Sequence, residues 1–307
     1  MILLRNRDSY INEGGSKMQT RKPVAAGRFY PGSQDACLAE LAECLGERSL
    51  PANLPETIIA GIVPHAGWAY SGALAALVFA AVKKQNKSVD TFVIFGAAHR
   101  YYGEPAVYDK GAWQTPLGEI TIDEELARDV LQSGSGISEL RAHSVEINSI
   151  EVQIPFIQHL FADAKILPIL TPPAQISVQL GDSLGAIAKE SGKKIVFIGS
   201  TDLTHYGPGY GFTPKGDSEK GIEWAHKVND AEFINFVLQM QPDKILDTAE
   251  RNYNACGAGA AAAAVAAAKQ LGKNKGILLA HTNSNTIIAQ KMGSGSSESV
   301  GYAAIVF

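Results

Sequence analysis

The chain has 307 residues, 46% of them hydrophobic and 19% charged, with 27 Lys and Arg set against 31 Asp and Glu. That balance excludes an intrinsically disordered chain, and a net charge of −4 with no basic stripe excludes a nucleic-acid-binding surface. The length suits one large domain.

In chain order, residues 1–18 mix Gly, Ser, Asn and charges without periodicity, so a disordered tail is expected there and the folded domain over 19–307. No continuous apolar stretch marks a signal peptide, and no segment reaches the ~18 apolar residues of a membrane span, so a cytoplasmic protein is expected. Cys37, Cys44 and Cys256 form an odd, sparse set without a CxxC pair, which suits a reducing compartment better than a disulfide framework. Helical patterns at about 34–46, 71–84, 123–133, 149–161, 174–191, 218–240 and 257–271 alternate with β-rich runs at 57–63, 91–95, 164–170, 194–199, 276–280 and 300–307. This is the pattern of strands joined by crossover helices: an α/β domain with a largely parallel central sheet flanked by helices. Ser33 is expected to cap the first helix, and Thr121 with Glu124 resembles a capping box before the third. Residues 105–122, with turn signals at Lys110-Gly111 and Leu117-Gly118, are expected to form an antiparallel hairpin. The Ala-rich run from Gly257 is expected to be a buried helix, slim enough to lie close against the sheet.

Polar groups stand just beyond three of the expected strands: Pro64-His65-Ala66-Gly67, Ala97-Ala98-His99 and Thr201-Asp202-Leu203-Thr204-His205. Parallel strands end at one edge, where α/β folds bind ligands, so these residues are expected to converge. A lone histidine there is most often tied to nearby backbone. Three of them, with Asp202 three residues before His205, point instead to a shared site of imidazole and carboxylate. Cys256 starts the Ala-rich helix, whose N-terminus also faces that edge. The helix dipole is expected to lower its thiol pKa and make it a nucleophile or a metal ligand, against the bland alternative of a small buried residue. For Cys37 and Cys44 the bland reading is preferred.

Other residues are more ambiguous. His143, Glu146 and Glu151 are candidates for a general base or for a partner of a ligating imidazole, or else belong to a solvated loop and helix face. His159 and His226 read as surface residues, while His281 at a strand end is placed near the cleft. Trp68, Tyr70, Tyr101, Tyr102, Trp113 and Tyr206 either line an aromatic pocket or pack in the core. The glycines of PHAGWAYSG lack the Lys and the spacing of a phosphate loop.

With these residues in view, the sequence resembles the Memo family, known in bacteria as AmmeMemoRadiSam system protein B. The resemblance is carried by RKPVAAGRFYPG, IVPHAGWAYSG, FVIFGAAHR, Trp113-Gln114-Thr115-Pro116-Leu117-Gly118, SIEVQIPF, STDLTHYG and NACGAGA, in that order. It implies a fold similar to class III extradiol dioxygenases, non-haem iron enzymes with two histidines and a glutamate, the glutamate being replaced in the Memo family by cysteine. Carried over by motif, His65, His99 and Cys256 correspond to metal ligands, and Asp202 and His205 to neighbouring cleft residues. The implied cofactor is Fe(II) or copper, with zinc a further candidate, and a radical-SAM protein is an implied functional partner. One departure concerns Ile147 and Asn148, which stand where the family usually has Glu and His; Asn hydrogen-bonds but does not titrate near neutrality.

Three functions are compatible with this reading. The first is a dioxygenase-like redox enzyme whose metal sits on His65, His99 and Cys256, with His205 as acid or base. The second is a non-catalytic protein using the cleft for a metal, a small molecule, a peptide or a partner. The third is a metal-free hydrolase or transferase with Cys256 as nucleophile, His205 as base and Asp202 orienting it.

Overall fold

The computed structural model describes residues 19–46, 49–99, 103–134, 136–139, 147–293 and 295–307. The expected tail over 1–18, together with His143, Glu146, Tyr101 and Tyr102, lies outside them. In chain order the strands are β1 (Thr20–Arg21), β2 (Ala60–Val63), β3 (Thr91–Ala97), β4 (Ala106–Val107), β5 (Ala112–Thr115) and β6 (Gly118–Thr121). They continue with β7 (Ser138–Glu139), β8 (Lys165–Thr171), β9 (Ile195–Ser200), β10 (His205–Tyr206), β11 (Ile277–Asn283) and β12 (Ser299–Val306).

The fold is α/β, with a central sheet ordered β10-β12-β2-β9-β3-β8-β4-β7 and flanked by helices. Its middle, β2, β9, β3 and β8, is parallel throughout. These strands are covered on both faces, which is why they are apolar at nearly every position instead of alternating. The parallel character stops at the flanks: β12 runs antiparallel to β2, β11 and β10, and β4 antiparallel to β8. The two C-terminal runs are therefore strands, as expected, but they close one side as an antiparallel pair. Apolar pattern alone does not encode direction, since both arrangements bury the same residues.

The expected hairpin forms from β5 and β6, with Gly118 at φ 113° at its turn, a conformation open to a residue without Cβ. It pairs with β1 in a small separate sheet. The expected capping box does not form. Thr121 ends β6, and Asp123 caps the helix Glu124–Gln132 by accepting from Leu126 N at 3.1 Å. Ser33 does precede the helix Gln34–Leu45 but makes no side-chain cap bond. That helix buries Cys37 and Cys44 as small apolar groups.

The Ala-rich helix Ala258–Gln270 is buried against β9 and against the helix Gln175–Ser191. The close approach depends on Gly181 and Gly185, where a Cβ would run into the backbone carbonyls of Ala263 and Ala267. The expected helix over 218–240 contains an interruption, a single π-helical turn at Ala225–Asn229 between Glu219–Trp224 and Asp230–Leu238. Two helices absent from the sequence reading, Pro242–Asn252 and Ser284–Met292, complete the chain's described C-terminal part. Among the described residues no helix is long and apolar enough to cross a membrane.

Candidate metal centre

The parallel register builds the site. Val63 of β2 lies opposite Ser200 of β9, so two residues further on His65 and Asp202 meet beyond the strand ends. Asp202 Oδ1 accepts from the backbone N–H groups of His65 at 2.7 Å and Ala66 at 3.2 Å, which locks one strand-end loop to the other. β3 on the far side of β9 delivers His99, and the turn before the Ala-rich helix delivers Cys256, whose N–H donates to the Asp202 carbonyl at 3.2 Å.

His65 Nε2 lies 3.3 Å from His99 Nε2 and 3.2 Å from Cys256 Sγ. Nitrogens of a tetrahedral shell with bonds of ~2.0 Å are themselves about 3.3 Å apart, so the donor set fits a single ion. The His65 tautomer follows from its partners. Ser200 Oγ spends its one hydrogen on Ser149 O at 2.6 Å and accepts from Gln153 Nε2 at 3.4 Å. It therefore receives a hydrogen from His65 Nδ1 at 3.0 Å, leaving the Nε2 lone pair facing His99 and Cys256.

Burial, with the neighbouring His205 disfavouring a second positive charge beside it, holds the His65 imidazole far below its usual range, at about 3. Exposed by unfolding, the same ring takes up a proton near pH 6.5. Its contribution to stability is thus complete above that pH and falls as the pH drops towards the folded-state value, by about 2 kcal/mol at pH 5. Urea denaturation at pH 7 and pH 5 should reveal this component in the wild type and its loss in His65→Gln; identical pH dependence in both would contradict it.

Asp202 and His205 complete the floor, with one donor atom from each and Cys256 Sγ all within 4.8 Å of one another. Burial raises the Asp202 carboxyl, opposed by His205 and the two backbone bonds, and burial lowers His205 despite the Asp202 carboxylate. His205 Nε2 is buried without a hydrogen-bond partner among the described residues. Its ring meets Tyr210 edge to face, centroids 5.1 Å apart.

Cys256 sits where expected, but its thiol behaves in the opposite way. Burial, followed by the Asp202 carboxylate, pushes it well above its ordinary pKa. The amides expected to stabilise a thiolate are committed elsewhere: Cys256 N–H to Asp202 O and Gly257 N–H to Thr201 Oγ1 at 2.9 Å. Sγ itself faces the Asp202 carbonyl at 3.7 Å.

Glu151 matches neither of its sequence readings. It is 0% exposed and serves the N-terminal segment, pairing with Arg21 Nη1 at 2.8 Å and accepting from the N–H groups of Val24, Ala25 and Ala26. Trp68, Trp113 and Tyr206 are buried in the core, so of the described aromatic candidates only Tyr70 lines the cleft. Tyr210, Tyr302 and Glu298 line it too and were missed; Tyr302 and Glu298 belong to the antiparallel C-terminal strand and the approach to it. Asn148, at the position of the departure noted above, also lines the cleft. His159 is exposed, as expected. His226 and His281 are half-buried and meet each other away from the cleft.

The cleft encloses about 450 Å³ at the carboxyl ends of β2 and β3 and beside β12. These features define an α/β protein with a strand-end cleft and a His/His/Cys group able to hold a metal. A family model described as Memo-like protein matches residues 21–306, and the chain belongs to that family. It is 36% identical to a MEMO1 family protein of Methanococcoides burtonii over 93% of this chain and 99% of that one. A MEMO1 family protein of Thermococcus onnurineus is also 36% identical, and one of Pyrobaculum aerophilum 34%, each over 94% of this chain and 99% of the relative. Among solved structures, an uncharacterized protein of Escherichia coli K12 superposes with a TM-score of 0.47 at 14% identity, covering 80% of this chain and 99% of that one.

Proposed function

We propose that His65, His99 and Cys256 hold iron or copper, and that the protein performs redox or oxygenase-type chemistry on a small molecule or peptide side chain bound in the cleft. The observation that supports this most is the His65 Nε2 lone pair, aimed between His99 Nε2 and Cys256 Sγ. One thiolate with two imidazoles suits iron and Cu(I), and zinc as a redox-inert occupant. When bound, iron or copper supplies Lewis acidity and one-electron chemistry.

The remaining roles belong to the chain. Ser200 holds the His65 tautomer, and Asp202 fixes the loop that carries it. Cys256 must release its proton to become a ligand, and His205 and Asp202 lie beside it. With its Nε2 unpartnered, His205 is also the group to exchange a proton with a cleft ligand. A functional association with a radical-SAM protein is part of this proposal and rests on family membership.

The metal-free reading is weaker, because a nucleophilic cysteine needs a lowered pKa and Cys256 is driven the other way. Anaerobic metal analysis of untagged protein, as isolated and after reconstitution with Fe(II) or Cu(I), is the test. A single ion per chain that is lost in His65→Ala is the expected result; wild type that takes up no metal on reconstitution would overturn the proposal.

A further inference from the structure

We infer that His226, Asp230 and His281 form a second cation site, separate from the cleft, for a first-row divalent ion of the zinc type. One donor atom from each residue lies within 4.8 Å of the other two. The three come from different elements: the π-helical turn, the helix that follows it, and β11. Single π turns within α-helices are rare and occur frequently at functional sites. Here it brings His226 onto the His281 ring, the two lying face to face with centroids 3.9 Å apart and planes at 29°.

The carboxylate is held for this purpose on one oxygen only. Asp230 is 1% exposed, and its Oδ1 accepts from Thr204 N at 2.9 Å while Oδ2 lies 3.2 Å from His281 Nε2. Room for Oδ2 depends on Gly301 of β12, where any Cβ would collide with it. The ring of His226 has a buried Nδ1 with no hydrogen-bond partner among the described residues.

As arranged, the group sets a single carboxylate oxygen against two stacked imidazole rings. A divalent cation accepts both imidazole lone pairs and the carboxylate together, and two imidazoles with one carboxylate is a donor set for zinc, Fe(II) or Cu(II), without the thiolate that favours Cu(I). His226 lines a groove of about 540 Å³ whose wall also carries Glu219 and Glu223. Lys227 pairs with Glu223 at 2.6 Å on the exposed side, and its charge also reaches His226.

The site shares no residue with the His65, His99 and Cys256 centre, so it stands whether or not that centre binds metal. The test is zinc titration by calorimetry of the full untagged chain carrying His65→Ala and Cys256→Ser. One zinc per chain is expected in that background, weakened at least about tenfold by adding His226→Ala. No zinc bound in the background, or binding unaffected by His226→Ala, overturns the inference. Crystals of the wild type soaked in zinc provide a check independent of the variants' folding. An anomalous peak between His226, Asp230 and His281 supports the site, and zinc found solely elsewhere refutes it.

Discussion

Replacing Glu151 with Ala is expected to destabilise the protein by about 3–5 kcal/mol, the range for breaking one side of a buried ion pair. The charge it leaves behind is that of Arg21, whose guanidinium lies over the Trp113 ring at 4.1 Å and is likewise buried. Removing the pair as a whole, with Arg21→Met and Glu151→Leu together, eliminates the buried charge but restores only part of the loss. The reason is that Glu151 also accepts from Val24 N at 2.9 Å and Ala25 N at 2.8 Å, amides that an apolar replacement leaves without an acceptor. Chemical denaturation of Glu151→Ala and of the double variant separates these contributions. A double variant as stable as wild type would show that the backbone bonds contribute nothing. The effect reaches the cleft, because the segment that Glu151 fastens continues to Phe29, a cleft-lining residue whose carbonyl accepts from Trp68 N at 2.8 Å.

Glu151 also marks a limit of what the sequence makes legible. His65, His99, Asp202 and Cys256 were readable as one group because parallel strands end at one edge, and that rule holds for β2, β9 and β3. Glu151 was not, since a carboxylate in a helical run looks the same whether it meets solvent or a distant Arg21, 130 residues away in sequence. The same holds for His226 and His281, which join only through the π turn and the antiparallel flank; neither is encoded in a local period. Tyr302 reaches the cleft because β12 runs antiparallel to β2, a direction that apolar patterning leaves open. At Cys256 the position was legible and the thiol's state was not. The dipole argument is local, whereas burial and the Asp202 carboxylate are products of the assembled cleft.

The metal proposal predicts an order of effects within its own residues. Cys256→Ser removes a ligand and, by exchanging thiolate for a hydroxyl, a donor of the kind iron and copper hold strongly, so affinity should fall by more than about 100-fold, beyond the cost of losing an outer partner. Ser200→Ala leaves all three ligands in place and removes the acceptor that fixes the His65 tautomer, the Oγ at 3.0 Å from Nδ1. Its expected cost is about 10–100-fold. The hydrogen on Nδ1 then lacks a partner in a buried site, and the ring gains freedom to move its lone pair away from the ligand side. Competition titrations with a chelator of known affinity, carried out anaerobically on both variants and the wild type, measure the order directly. If Ser200→Ala bound metal as tightly as wild type while Cys256→Ser lost it, the ligand set would stand and the tautomer argument would fail. If Cys256→Ser kept its metal while Ser200→Ala did not, the thiolate would be displaced from the coordination set, leaving His65 and His99 to act with Asp202 or His205.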